Sequence, residues 1–340
     1  MSRNRALCCL LFVISGLTAC SESRTTFAIA TGGPAGLYYP YGGGMASIWS
    51  KYLTDVNVKA EVTGGSVINV IQVARKESEM GIAMADVVTD AYLGQGLFPE
   101  PLPLRVLFPA YPNIIHILTL SDSGVKSASD LKGKRVSLGA AGSGTSVAAE
   151  NVLTGLDIKF EDFAPMYLSF GETTSALKDG SIDVGFVVGG LGISAVTELA
   201  VTRDLTIVPL SPTEVSKLNA RYPAYAAYKI PGTTYNGIEA DIQSLGIWSA
   251  VVVHEEMSER LAYQLSCTIY QHHEELLKVS QVAKAMIVSN INQIAGVPLH
   301  EGTKRFLRNV NPNNKPAAVT EPHDNTSDNH VNKLNDCTQI

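Results

Sequence analysis

In KRVSLGAAGSGTSVAAENVL, residues 134–153, a short strand-like run (Lys134–Leu138) meets a glycine-rich turn (Gly139–Gly144) and then a segment of helical period (Thr145–Leu153). The N-terminal half opens the same way, with a strand over Phe27–Thr31 running into Gly32 and Gly33. Around these two stretches the pattern repeats. Strands Val56–Val62, Met80–Met84 and Leu104–Phe108 alternate with helices near Gly43–Leu53, Val67–Lys76 and Val87–Leu93. A second series starts with the strand Ile114–Leu120. It continues through strands at Lys134–Leu138, Phe163–Leu168, Val184–Val188 and Leu205–Pro209, with helices near Thr145–Leu153, Thr173–Lys178 and Ile193–Leu199 between them. Such alternation implies α/β architecture with parallel sheets covered on both faces. Within Val67–Lys76 the residues Val67, Val70, Ile71 and Ala74 share one buried face, and Asn69, Gln72, Arg75 and Lys76 lie off it.

Two series starting alike predict two lobes. A late apolar strand, Ile247–Val253, followed by helices over Ser258–Lys278 and Gln281–Ile294, is expected to rejoin the first lobe. The chain then crosses between lobes near residues 110–118 and 240–247, which makes a hinge with a cleft. The expected division is lobe 1 over residues 27–115 plus 245–310, lobe 2 over 116–244, and a disordered tail over 311–340, where few large apolar residues offset the ordering entropy. The 340 residues are 45% apolar and 17% charged, with a net charge of −6. No basic excess is available for a phosphate backbone, so nucleic acid is not an expected partner.

Residues 1–19 carry Arg3 and Arg5, an apolar run from Ala6 to Leu17, and the ending Leu17-Thr18-Ala19-Cys20. This reads as a bacterial lipoprotein signal peptide with lipidation at Cys20 and a tether over residues 20–26; a plain secretory signal cleaved after Ala19 is the alternative. The apolar run is too short to span a bilayer. Either way the chain is exported, and loss of residues 1–19 takes the net charge from −6 to −8. Cys8 and Cys9 leave with the signal. Cys267 and Cys337 remain and are expected to be unbridged, since the polar tail offers little to dock.

The loop Gly142-Ser143-Gly144-Thr145-Ser146 joins a strand to a helix, so free backbone N–H groups and hydroxyls converge at a helix N-terminus. It is either a capped turn or an anion site, and its position at a strand C-terminus favours the site. It lacks the Walker lysine and the third glycine of a dinucleotide fingerprint, and no cofactor is expected. Thr31, Gly32, Gly33, Tyr38 and Tyr39 form the matching loop in the first lobe, with tyrosines that either wall a small ligand or pack over the sheet edge. Gly65 and Ser66 repeat the logic after the second strand. Asp86 either receives a ligand amine or caps the next helix, and Gly189-Gly190 permits close approach of a ligand or of the opposite lobe. No G-x-S-x-G, H-E-x-x-H or Cys/His cluster supplies a nucleophile, base or metal set. His116 reads as a core or hinge residue, His272 and His273 as solvated surface, and His300 as a capping or packing group.

Seven ordered stretches carry a resemblance: ATGGPAGLYYPYGGG (30–44), VTGGSVINV (62–70), MADVVTDAYLG (84–94), SDLKGKRVSLGAAGSGTS (129–146), ALKDGSIDVGFVVGG (176–190), YKIPGTTYNG (228–237) and PLHEGTKRF (298–306). Over about residues 27–310 the chain resembles the TAXI family of TRAP-transporter solute-binding proteins. The resemblance implies a type II periplasmic-binding-protein fold that is not an enzyme. Its two lobes close on a small carboxylate, such as a glutamate-like amino acid, a dicarboxylate or a keto acid. A fused TRAP membrane subunit receives the ligand, and the protein is periplasmic, anchored through Cys20 to the cell membrane or outer membrane. A ligand-sensing lipoprotein serving a membrane kinase, and an exported enzyme on the same fold, are the alternatives. Family members often carry Gln-Ser-Asp where this chain has Met84-Ala85-Asp86, and proline where it has Gly192, which implies a ligand less polar than glutamate.

Overall fold

The computed structural model describes residues 24–310 and Cys337. The signal segment, Cys20 and the tail residues 311–336 and 338–340 lie outside the described residues. The first half builds β1 (Thr25–Ala30), α1 (Tyr38–Tyr52), β2 (Val56–Glu61), α2 (Ser66–Ala74), β3 (Met80–Met84) and α3 (Ala85–Leu93). β1 starts two residues inside the expected tether. It lies parallel to both β2 and β3. β3 is buried along its whole length, as an unbroken apolar run covered on both faces requires.

β4 (Leu104–Leu120) is one strand of 17 residues, where the sequence reads as two strands broken around Pro109 and Pro112. The prolines are accommodated because the ladder to its partner slips register nearby, between Trp248 and Ala250, and a bulge tolerates residues without an N–H. The second half contributes β5 (Arg135–Ser137), α4 (Gly144–Gly155), β6 (Ala164–Met166), α5 (Phe170–Asp179), β7 (Val184–Gly189), α6 (Ser194–Thr202), β8 (Leu205–Ile207), α7 (Pro212–Arg221) and β9 (Tyr225–Ile230). β10 (Ile242–His254) then runs back, followed by α8 (Glu259–Gln271), α9 (His273–Val279) and α10 (Glu301–Val310).

The sheet order is β2-β1-β3-β10-β4-β7-β5-β6, with β8 on β4 and β9 on β10. Strands are parallel within β2-β1-β3 and within β7-β5-β6, but β4, β8, β9 and β10 pair antiparallel. An all-parallel expectation therefore fails along the centre. There β4 and β10 lie against each other, pairing with β3 toward one half and with β7, β8 and β9 toward the other.

Apolar side chains from both halves fuse into one large core, with Val70, Val88, Leu138, Val152, Phe186 and Ala250 all buried. A second core lies under α1 and α8, where the Trp49 indole N–H donates to the Leu265 carbonyl at 2.9 Å. The expected helix over Gln281–Ile294 is absent. Two short 3-10 turns replace it, with the Asn290 amide donating to Ala285 O and His273 Nε2 to Ala283 O. His273 is thus engaged rather than solvated, and His272 stacks face to face on Tyr52.

The expectation of two unbridged cysteines is wrong. Cys267, fully buried on α8, is joined to Cys337 by a disulfide with Cα atoms 5.8 Å apart. Composition alone suggested nothing that would dock this part of the tail. A covalent bond holds Cys337, itself buried, against α8.

Candidate functional site

A cavity of about 330 Å³ opens between the halves at the C-terminal ends of the parallel strands. Gly32, Gly33, Tyr38, Gly65, Ser66, Gly144, Thr145 and Gly189 line it, from loops that the sequence singles out. Tyr111 and Asn113 of β4, Val188 of β7, Ser169 and Phe170 at the start of α5, Thr63, Leu37 and Met84 also line it. Of these, Tyr111 and Asn113 carry no local sequence signal. They reach the site only because β4 runs unbroken through the molecule.

The other sequence candidates lie elsewhere. Thr31 is fully buried behind the first loop, its hydroxyl donating to Glu61 O at 2.5 Å. Tyr39 points outward, 38% exposed. Ser143 is the N-cap of α4, its Oγ accepting the Ser146 N–H at 3.0 Å, and the Ser146 hydroxyl donates back to Ser143 O. A Cβ on Gly190 would strike Leu37 and Val282, so that glycine is a packing requirement. Asp86 accepts the Tyr225 O–H at 2.8 Å and the Val87 N–H at 2.7 Å, and does not line the cavity.

Asn69, placed by its period on the polar side of α2, is fully buried and organises the floor. Its amide donates to Thr31 O at 2.6 Å and Ile82 O at 2.7 Å, and its Oδ1 accepts from Thr63. One side chain thereby ties the segments leaving β1 and β2 to the middle of β3. A polar residue three positions after the first helical residue, facing Gly81 across the packing, was the available clue. Ser66 Oγ accepts the Met84 N–H at 3.1 Å, which leaves its own proton to donate elsewhere.

The lining is mostly apolar, but several helix starts bring free donors to it. Tyr38 opens α1, Gly144 and Thr145 open α4, and Phe170 and Gly171 open α5. The amide N–H groups of these five residues make no hydrogen bond among the described residues. The buried hydroxyls of Tyr38 and Tyr111 also lack a partner there. Burial holds the Tyr38 phenol well above its usual range, partly offset by Ser66, Ser249 and Asn113 nearby; Tyr111 shifts the same way, again through burial. No Asp, Glu, Lys, Arg or His of the described residues lines the cavity.

The halves touch around the cavity. Val67 and Ile68 N–H groups donate to Gly142 O at 3.2 and 3.3 Å, and the Ser194 hydroxyl donates to Ala35 O at 3.1 Å. Asn151 donates to the Tyr225 hydroxyl at 3.0 Å, and Tyr225 in turn to Asp86. Burial pushes the Asp86 carboxyl up to about 6, opposed by the bonds from Tyr225 and Val87. Further along β4, His116 Nδ1 faces the carbonyls of Ile114 and Val187, so it carries the proton and Nε2 accepts the Tyr235 O–H at 2.9 Å. Burial lowers this imidazole to about 4.

Solved structures share the arrangement. MatC from Rhodopseudomonas palustris, with bound malate, is 10% identical, covers 84% of this chain and 98% of its own, and superposes with a TM-score of 0.56. A Bordetella bronchiseptica RB50 protein is 14% identical over 85% of this chain and 99% of its own, with a TM-score of 0.55. The periplasmic aliphatic sulphonate binding protein SsuA from Escherichia coli matches more loosely, at 12% identity, 81% and 84% coverage and a TM-score of 0.44. The fold is the periplasmic-binding-protein fold, two α/β halves about a central cleft. The NMT1-like family model matches residues 29–310, most of the chain and every element that lines the cavity, and the chain belongs to that family.

Proposed function

We propose that this chain is an extracytoplasmic solute-binding protein of the TAXI type, which captures a small carboxylate by closure of its lobes and delivers it to a TRAP membrane subunit. The observation that carries this reading is the cavity itself: free N–H groups from three helix starts meet between two halves joined by β4 and β10. Such pre-aimed donors bind an acid through weak differential contacts between open and closed states. A nucleophile paired with a base, which hydrolysis would need, is not among the lining residues.

The seven ordered motifs between residues 30 and 306 support the TAXI assignment, and the malate bound to MatC supports a small acid. Residues 27–115 with 245–310 form one lobe and 116–244 the other in this reading, with β4 and β10 as the hinge. Cys20 anchors the protein by its lipid. The Cys267–Cys337 bridge supports export, because such bonds persist in oxidising compartments. A thermal-shift screen with amino acids, dicarboxylates and keto acids, followed by calorimetry, tests the proposal. One class of acid should raise the melting temperature and titrate one to one. Uniform silence across the panel would sink it.

A further inference from the structure

We infer that the ligand is a monoanion, an acid with an uncharged, largely apolar body, carrying neither an ammonium group nor a second acid. The inference deepens the solute-binding reading and rests on it. One negative charge is provided for: the starts of α1, α4 and α5 present N–H groups without partners, with the buried hydroxyls of Tyr38 and Tyr111 close by. Tyr111 is fully buried beside the cavity, and its hydroxyl finds no partner among the described residues.

Nothing comparable exists for a further charge. A ligand ammonium needs a carboxylate, and two nearby are committed: Asp86 to Tyr225 and the Val87 N–H behind the wall, and Glu172 to the N–H and hydroxyl of Ser169 at the start of α5. A second carboxylate needs a cation, and no Lys, Arg or His of the described residues lines the cavity. An uncompensated buried charge is strongly disfavoured. Leu37, Met84, Phe170 and Val188 supply instead an apolar wall for the rest of the molecule.

Calorimetric titration of the protein as exported, first freed of any bound solute by unfolding and refolding, separates the cases. The probes are 4-methyl-2-oxopentanoate, leucine, 2-oxoglutarate, glutamate and 4-methylpentanamide. The first should bind at least tenfold more tightly than each of the others, and Tyr111→Phe should weaken it about fivefold to tenfold without altering the melting temperature of the free protein. Tighter binding of glutamate, leucine or 2-oxoglutarate would overturn this inference and leave the solute-binding reading standing. Equal binding of the uncharged amide would remove the anion from the inference and so defeat it. Failure of all five probes to bind would overturn both.

Discussion

Gly144 shows how tightly single residues constrain the closed cleft. A Cβ there would lie 2.5 Å from Ser66 Oγ and 2.6 Å from Met84 Cε, both across the cavity on the other half. Its backbone is ordinary for a helix start, so alanine should not harm α4 itself. Gly144→Ala is therefore expected to leave stability nearly unchanged and to weaken ligand binding more than tenfold by holding the halves apart. Calorimetry with small-angle scattering checks this, and an unchanged affinity would contradict it. Asp86 gives a pH prediction. Its carboxyl is raised from 3.8 to about 6, so its contribution to stability is fully present below pH 3.8 and lost as pH rises through about 6. Asp86→Asn escapes that loss. The stability of the variant relative to the native chain should rise by up to about 3 kcal/mol between pH 4 and pH 7, read from urea midpoints; a flat difference would mean that Asp86 is solvated. The glycine-rich loops were legible in the sequence because their spacing is local. The role of Asp86 was not, since Tyr225 lies 139 residues away and only the fold brings it near.

Elements whose signal is periodic and bounded by glycine were read well. The runs over β1 to β3, β5 and β7 match their structural spans closely, and α2 and α4 start within a residue of expectation. What failed depended on partners. β4 reads as two strands because prolines interrupt it, and only its ladder to β10, with the bulge, shows why they are tolerated. α7 and α10 carry few apolar residues, and α7 is marked instead by its capping box, Ser211 with Glu214. At α4 the element and the site can be separated. Ser143 Oγ caps the helix and does not line the cavity, whereas Thr145 does. Ser143→Ala should cost about 1 kcal/mol of stability with little change in affinity. Thr145→Val should do the opposite, lowering affinity while the urea midpoint holds. Reversed effects would place the ligand against Ser143.

At the scale of the molecule, the Cys267–Cys337 bridge closes a loop of 70 residues on the face formed by α8 and α10, where Phe306 packs against Tyr270. It removes conformational freedom from the unfolded chain, and in the chain-entropy model a loop of that length contributes roughly 4 kcal/mol. Cys267 is fully buried, so replacing it would also disturb the core. Cys337→Ser is the cleaner change. Because the residues lining the cleft belong to other elements, the variant should keep its ligand affinity at room temperature while melting several degrees lower, on the order of 5–10 °C for a chain of this size. Native protein reduced by a thiol should melt at the same point as the variant. If mass spectrometry shows the bridge gone and the melting temperature has not moved, the tail contributes nothing through its covalent link. If affinity falls together with stability, the α8 face and the cleft are coupled, and closure of the halves would then depend on how the C-terminal segment is tied down.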